Sequence, residues 1–217
     1  MSQSARDVIF DRLHNASNNN STEVQDIQAQ AKSILTNSPH AVLATSDPVD
    51  AFVSRINNGK VIGTTCEKLD SIESLPSAVY AYLQANDLSL DVGIQQLPLF
   101  ENIEWSHINN TGPQLSGELD GLVSLTYADF GIAETGSVVF HSGENRPVLL
   151  NFLSLHQIIV IHRKNIVLLL DDYASQLDIT QPPRNTIWIT GASGTTDIEG
   201  VLVQGAHGPC QVHVLIL

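Results

Sequence analysis

A segment near the end of the chain, residues 189–209, combines small residues, hydroxyl groups and a histidine in ITGASGTTDIEGVLVQGAHGP. Gly191 lets the backbone approach a ligand closely. The hydroxyl donors that follow it are Ser193, Thr195 and Thr196. Thr196 and Glu199 make the T-x-x-E pattern of a capping box, which predicts a helix from Thr196. Free N–H groups and the positive end of that helix would hold a carboxylate or phosphate. The alternative is that these hydroxyls only cap the helix.

His207 stands out among the eight histidines because small or rigid residues surround it. It lies in Gly205-Ala206-His207-Gly208-Pro209, where Gly205 takes the place expected for a helix terminator. This setting fixes an imidazole near the backbone, so His207 is a candidate catalytic group. The alternative is a histidine that donates to a neighbouring carbonyl and holds the turn.

A second polar group of residues lies in the apolar stretch 126–153. Glu134 is a candidate general base if burial raises its pKa; otherwise it is a turn carboxylate that accepts backbone N–H bonds. Arg146 offers a planar guanidinium that could clamp a carboxylate, although an isolated loop arginine is more often a surface residue. The other candidate ligand-binding residues of this stretch are Thr126, Thr135, Gly136 and Ser137.

Short strands and helices alternate from residue 41 onward, which predicts a three-layer α/β fold with a largely parallel sheet. The predicted strands are residues 41–44, 60–63, 90–94, 122–126, 137–140, 157–162, 187–189 and 211–217. Helices are predicted to begin near residues 4, 22, 47, 76 and 196, and 166–177 is an amphipathic stretch. The first two form an N-terminal helical arm over residues 1–38, which packs on the chain's own core or on an oligomer partner, and residues 39–217 form the α/β domain. In parallel sheets, ligands bind beyond the carboxyl ends of the strands. We therefore expect the turns after Thr126 and Ile189 to lie there, with Glu134 and His207 on loops that converge.

Charge and composition limit the classes of partner. The formal net charge of −13 argues against nucleic acid, whose binding requires clustered Lys and Arg. No apolar run approaches the roughly 18 residues that span a bilayer, and the charged N-terminus does not resemble a signal peptide. We expect a cytoplasmic protein without membrane insertion. Two cysteines, Cys66 and Cys210, do not suffice for a four-cysteine cluster or zinc site, and we predict no cofactor or metal in this chain.

Three ordered blocks together resemble the LUD-domain family, in particular its lactate-utilisation C branch. The blocks are GIAETGS at 131–137, LLNFL at 149–153 and residues 189–209. The resemblance extends more weakly over residues 41–217. It implies a fold like that of the NagB/RpiA/CoA-transferase group. It also implies a role in oxidising L-lactate to pyruvate, with iron–sulfur clusters carried by partner lactate-utilisation proteins.

The chain departs from the family pattern at three places. The family commonly has an arginine where Gly194 stands and a proline where Ala192 stands. It commonly has Pro-Glu-x-His where this chain reads Ser154-Leu155-His156-Gln157. Because a shift of one residue in a strand moves a side chain to the opposite face, His156 does not inherit the role of the family's histidine.

Three functions follow from these observations. The first is a ligand-binding or accessory subunit of an iron–sulfur lactate-oxidising system, with a small carboxylate or phosphate held between the 131–137 and 191–196 turns. The second is an independent enzyme of acyl, CoA or sugar-phosphate chemistry, by analogy with the fold group. The third is a regulatory or scaffolding protein with a vestigial pocket, which the missing arginine favours.

Overall fold

The computed structural model describes residues 5–17, 24–37, 43, 45–113, 123–143, 146–178, 180–196 and 199–217. The chain divides into two units, Met1–His40 and Ala41–Leu217. The first unit contains helices α1 (Ala5–Ser17) and α2 (Val24–Asn37). Among the described residues, no helix is both long and apolar enough to cross a membrane.

The second unit contains the remaining helices and all the strands of the described residues. Its helices are α3 (Pro48–Arg55), α4 (Leu75–Ala85), α5 (Pro98–Glu101), α6 (Leu150–Leu153) and α7 (Leu170–Gln176). Its first six strands are β1 (Thr64–Lys68), β2 (Asp91–Ile94), β3 (Asn109–Asn110), β4 (Val123–Tyr127), β5 (Phe130–Ile132) and β6 (Ser137–His141). The others are β7 (His156–Ile161), β8 (Ile166–Val167), β9 (Thr186–Ile189), β10 (Gly194–Thr196), β11 (Leu202–Gln204) and β12 (Gln211–Ile216).

The central element is a six-stranded sheet in the order β1-β12-β7-β4-β2-β3, and every neighbouring pair is parallel. Both faces of the sheet are covered, which is why β7 and β12 are nearly continuous apolar runs. On β7, Ile158 and Val160 pack in the core formed with α4, and Ile159 and Ile161 pack in the core formed with α3. The predicted α/β fold with a largely parallel sheet is confirmed.

A second sheet, which the sequence did not predict, has the order β8-β5-β6-β9. Its pairs β5–β6 and β6–β9 are antiparallel, whereas β5–β8 is parallel. Val138 and Phe140 on β6 and Ile189 on β9 join the α3 core, so this sheet covers the same face of the central sheet as α3. The β6–β9 pair places the turn before β6 beside the turn after β9, because Val138 is opposite Ile189.

The helix predicted at Asp47-Pro48 is confirmed. The Asp47 side chain caps α3 by accepting a hydrogen bond from the N–H of Asp50 at 2.8 Å, and Pro48 is its first residue. The chain then continues through a π-helical turn, Ile56–Lys60, that contains Gly59 with φ of 69°. The strand predicted at 60–63 is wrong because Gly63 still has a positive φ of 58°, and β1 begins at the next residue.

The helix predicted from Thr196 is also wrong. Thr196 ends β10, which forms an antiparallel hairpin with β11 and pairs Thr196 with Leu202. The T-x-x-E pattern did not produce a helix because Gly200, one residue after Glu199, has a φ of 81°, and the residues on both sides are rich in threonine and valine, which favour strands. Gly205, with φ of 82°, follows a strand and ends no helix.

Two further predictions differ from the structure in detail. The amphipathic stretch 166–177 divides into β8 and α7. The predicted strand 41–44 lies outside the described residues except for Leu43, which has no regular structure.

Candidate functional site

A cavity of about 200 Å³ includes three of the candidate site residues predicted from the sequence, Gly191, Ser193 and His207, and we call it the Trp188 cavity. Its lining residues are Asn151, Phe152, Trp188, Ile189, Thr190, Gly191, Ser193, His207, Gly208 and Pro209. They come from α6, from the end of β9 and the turn after it, and from the loop before β12. The cavity therefore lies at the amino ends of β7 and β12. The expectation that the turn after Ile189 lies beyond the carboxyl ends of the parallel strands is wrong, because β9 belongs to the second sheet.

The turn after β9 is held tightly by the segment before β1. Gly191 has a φ of 90°, and a Cβ added to it would lie 2.7 Å from the Val61 Cγ1, so only glycine fits there. The N–H of Ala192 donates to the carbonyl of Ile62 at 2.9 Å, and the N–H of Ser193 donates to the carbonyl of Pro209 at 2.7 Å. These two N–H groups are used within the protein and are not available to a ligand in the cavity.

A chain of hydroxyl groups reaches the cavity from the second sheet. The Oγ1 of Thr135 lies 2.7 Å from the Oγ of Ser137, and that oxygen lies 2.6 Å from the Oγ1 of Thr190. Ser137 is buried, whereas Thr190 lines the cavity. The hydroxyls of Thr135 and Ser137 therefore contact each other, and Thr190 connects them to the cavity.

A chain of amide groups reaches the cavity from the central sheet. The Nε2 of Gln157 donates to the Oγ1 of Thr126 at 3.3 Å and to the Oδ1 of Asn151 at 2.9 Å. Thr126 and Gln157 are fully buried, and Asn151 is 5% exposed and lines the cavity. Thr126 is thus connected to the cavity through two further residues and does not line it.

Aromatic side chains form the apolar part of the cavity. Trp188 is 41% exposed and Phe152 is 40% exposed. The Trp188 ring meets the buried Tyr173 ring edge to face, with centroids 5.0 Å apart, which fixes one side of the indole. The cavity thus combines an apolar wall with the polar side chains of Asn151, Thr190, Ser193 and His207.

The structure does not bring Glu134 and His207 together. His207 is exposed and lines the cavity at the amino end of β12. Glu134 lies in the turn between β5 and β6, does not line the cavity, and its Oε2 accepts a hydrogen bond from the N–H of Leu170 at 3.1 Å. This geometry matches a turn carboxylate that accepts a backbone N–H bond. The expected convergence at the carboxyl ends of strands is wrong, although the roles assigned to both residues stay predictions.

The other predicted ligand-binding residues lie away from the cavity. Arg146 is paired with Asp129, its side chain is only 22% exposed, and its guanidinium lies 5.7 Å from the centre of the Tyr127 ring. Thr195 and Thr196 are exposed on the β10–β11 hairpin. Of the residues in the two predicted turns, Gly191 and Ser193 line the cavity.

Gly136 has a packing role in the structure. Its φ is 73°, and an added Cβ would lie 2.8 Å from the Val61 Cγ2 and 3.1 Å from the Arg55 Cγ. The residue therefore permits a close approach between the β5–β6 turn and the segment after α3.

Sequence reasoning missed Asn151, Thr190 and Gln157. Asn151 is the polar member of the apolar block LLNFL, and Gln157 is a polar residue that opens an apolar strand. A buried polar residue needs a partner, and that requirement was the available signal. Gln157 lies on the cavity side of β7, where its side chain donates to Asn151.

A second polar cluster lies on the α4 face of the central sheet. The rings of Tyr82 and His213 stack with centroids 4.6 Å apart, and the Nδ1 of His213 lies 2.7 Å from the Oγ1 of Thr65. The Tyr82 hydroxyl lies 2.9 Å from the Nδ1 of His156. Burial lowers the pKa of His213 to about 4 and raises the pKa of Tyr82 to about 12. Within the described residues, no group of three or more His, Cys, Asp and Glu side chains is arranged to hold a metal ion.

Comparison with known proteins identifies the domain. A sequence model described as the LUD domain matches residues 119–217. The "Uncharacterized protein YkgG" of Escherichia coli (strain K12) is 24% identical over 184 residues, which cover 77% of this chain and 78% of that protein. The "Lactate utilization protein C" of Geobacillus sp. (strain WCH70) is 31% identical over 100 residues, which cover 44% of this chain and 42% of that protein. The protein of the same name from Halalkalibacterium halodurans is 28% identical, with 44% of each chain covered. The alignments with these two lactate utilization proteins thus span less than half of each relative.

The fold also has a counterpart among solved structures. The crystal structure of a DUF162 family protein from Deinococcus radiodurans matches with a TM-score of 0.54 and 21% identity. The match covers 81% of this chain and 99% of that chain, and it supports the fold alone. Residues 119–217 thus match the LUD domain, and the chain is similar to these curated lactate utilization proteins C over 44% of its length.

Proposed function

We propose that this chain acts in L-lactate utilisation as a ligand-binding subunit, and that the Trp188 cavity binds the small carboxylate. The names of the lactate utilization protein C relatives support the process. The composition of the cavity supports the class of ligand. The observation that carries the proposal is that hydrogen-bonding side chains and an apolar wall share one small space.

The size and chemistry of the cavity suit lactate or pyruvate. Its volume of about 200 Å³ is below the roughly 300–1,000 Å³ of sites for drug-sized ligands. Asn151, Thr190, Ser193 and His207 can donate hydrogen bonds to carboxylate or hydroxyl oxygens. The Trp188 ring offers an apolar surface for a methyl group. No Lys or Arg is among the described lining residues, so the carboxylate would be bound by hydrogen bonds from these side chains rather than by a guanidinium clamp.

We assign electron transfer to partner proteins that hold iron–sulfur clusters. A cluster takes four cysteine ligands, and this chain has two cysteines, Cys66 and Cys210. Lactate oxidation to pyruvate releases two electrons and two protons, which an acceptor must take. In this proposal the chain binds the organic acid, and the iron–sulfur partners accept the electrons.

Calorimetric titration of the purified chain with L-lactate and pyruvate tests the ligand. We expect saturable binding in wild type and loss of at least about tenfold in affinity for Asn151→Ala and Ser193→Ala, because each removes a side-chain donor. Thr195→Ala and Glu134→Gln are matched controls outside the cavity, and we expect their affinity to match wild type. Absence of saturable binding by either acid, or equal loss in the controls, would refute the assignment of the site.

Copurification tests the partners. Tagged chain expressed with candidate iron–sulfur lactate-utilisation proteins should retain them, and lactate-dependent reduction of an electron acceptor should require the complex. Activity of the isolated chain would contradict the subunit role.

A second candidate function, an enzyme acting on a larger ligand, rests on another cavity of about 520 Å³ at the carboxyl ends of β2 and β3. This is where parallel sheets usually bind ligands. Its polar lining includes Gln95, Gln96, Glu101 and Asn110, and no described lining residue is Lys or Arg. A phosphate or CoA ligand would meet a carboxylate there, so the lactate assignment is preferred. Titration with coenzyme A or ribose 5-phosphate distinguishes the two functions.

A further inference from the structure

The Gln157 side chain is buried with one half of its amide paired and the other half unpaired. Gln157 is 0% exposed, and its Nε2 donates to both Asn151 and Thr126. Its Oε1 is buried and has no hydrogen-bond partner among the described residues. A buried acceptor without a partner is costly and needs an explanation.

The pairing of Gln157 determines which half of the Asn151 amide can meet a ligand. The Oδ1 of Asn151 accepts the hydrogen bond from Gln157, so its Nδ2 hydrogens are the side-chain donors left for the cavity. If both amides rotated by half a turn, Asn151 Nδ2 and the Thr126 hydroxyl would donate to the Gln157 Oε1. That arrangement would satisfy the unpaired acceptor, but it would present the Asn151 Oδ1 to the cavity. The two arrangements suit opposite ligands, because a carboxylate only accepts hydrogen bonds.

We propose that Gln157 is a positioning residue that fixes Asn151 with its N–H donors toward the Trp188 cavity and so selects carboxylates over neutral amides of the same shape. The inference rests on the proposed function, since it concerns a carboxylate in that cavity. Gln157 acts through Asn151 and does not line the cavity itself. Thr126, from the neighbouring strand β4, accepts a hydrogen bond from the same Nε2.

The test compares the affinities of L-lactate and L-lactamide, in which an NH2 group replaces one carboxylate oxygen. For wild type we expect lactate to bind at least about tenfold more tightly, because hydrogen bonds to a charged acceptor are stronger. In Gln157→Met, a neutral side chain of similar length, nothing fixes the Asn151 amide, so it can turn to suit either ligand. We expect the ratio of the two affinities to fall about fivefold or more while binding of lactamide is retained.

A second variant forces the opposite arrangement. Gln157→Glu places a carboxylate beside Asn151, which must then turn its Nδ2 toward that carboxylate and its Oδ1 toward the cavity. The added charge also repels lactate, so the variant is made in wild-type and Asn151→Leu backgrounds. If Asn151 mediates the effect, the change in the affinity ratio is larger in the wild-type background.

An NMR measurement on the wild-type chain tests the same inference and does not depend on the folding of a variant. The side-chain 15N–1H signals of Asn151 should shift when the wild-type chain is saturated with L-lactate, and those of exposed Asn109 should not. Lactate binding without such a shift, or an unchanged affinity ratio in a folded Gln157→Met, overturns the inference and leaves the proposed function standing. Failure of wild type to bind either ligand overturns the proposed function and this inference together.

Discussion

The buried imidazole of His213 predicts a specific loss of stability in mild acid. His213 is 7% exposed, and burial lowers its pKa from 6.5 to about 4. Between these two values the unfolded chain binds a proton that the folded chain does not, so the free energy of unfolding decreases as the pH falls. With about 1.4 kcal/mol for each pKa unit, the loss is about 2 kcal/mol at pH 5 and approaches about 3 kcal/mol near pH 4.

The surroundings of His213 support the direction of this effect. Its Nε2 lies 3.8 Å from the Oε2 of Glu67, an ion pair that would raise the pKa if it dominated. The Glu67 side chain is 55% exposed, so water screens its charge, whereas the imidazole is enclosed against Tyr82. Desolvation therefore outweighs the carboxylate. Protonation would also deprive the Thr65 hydroxyl of an acceptor if the neutral ring accepts at Nδ1, which lies 2.7 Å from it.

Urea unfolding at pH 7.5 and pH 5 measures the effect. His213→Gln removes the titrating ring, so we expect this variant to lose about 2 kcal/mol less than wild type over that interval, whatever its stability at pH 7.5. Other groups titrate in both proteins and cancel in the difference. His107→Gln serves as the control because His107 is exposed. Equal losses in wild type and His213→Gln would refute the idea that burial keeps this imidazole neutral.

Three further predictions concern packing and reactivity. Gly136→Ala should lower the free energy of unfolding by about 1–3 kcal/mol, because φ is 73° and the new Cβ would meet Val61 at 2.8 Å; an unchanged urea midpoint would contradict this. Arg146→Ala should destabilise by about 1–3 kcal/mol through the lost pairing with Asp129 while lactate affinity in calorimetry stays unchanged; a selective loss of affinity would restore the ligand-clamp interpretation. Burial raises the pKa of Cys66 to about 12, so its alkylation at pH 8 should be about a thousandfold slower than that of an exposed thiol. Rapid labelling of Cys66 in the folded protein, measured by mass spectrometry, would refute this prediction.

The sequence predicted the parallel sheet well because its strands are buried on both faces and read as apolar runs. β7 and β12 were located within one residue at their starts, since each is a short run rich in Ile, Val and Leu between turn signals. The helix expected at Thr196 failed because the capping pattern is local, and Gly200 soon after it has a φ of 81° that does not fit a helix. The exposed hairpin in its place has little burial to mark it: Val201, Leu202 and Val203 are 57%, 49% and 43% exposed.

The candidate site was predicted only in part, because its connections join distant segments. The hydroxyls of Thr135 and Ser137 were recognised as a pair, but Thr190, which links them to the cavity, lies 53 residues beyond Ser137. The position of Asn151 depends on Gln157, and both were hidden in apolar blocks. A sequence shows the polar residues of each turn. Which turns come together is determined by the pairing of strands in the fold.

The position of the cavity follows from the way the second sheet is attached. Because β6 and β9 are antiparallel, the turn that begins β6 lies beside the turn that ends β9, and the hydroxyl chain crosses between them to Thr190. The loop before β12 and helix α6 before β7 approach the same place from the central sheet, and Ser193 bonds across to Pro209. One polar chain thus reaches the cavity from each sheet, and the two chains end on different side chains, Thr190 and Asn151. Substitutions in one chain should therefore alter its own donor without disturbing the other, which makes the contributions of the two sheets to ligand binding separable.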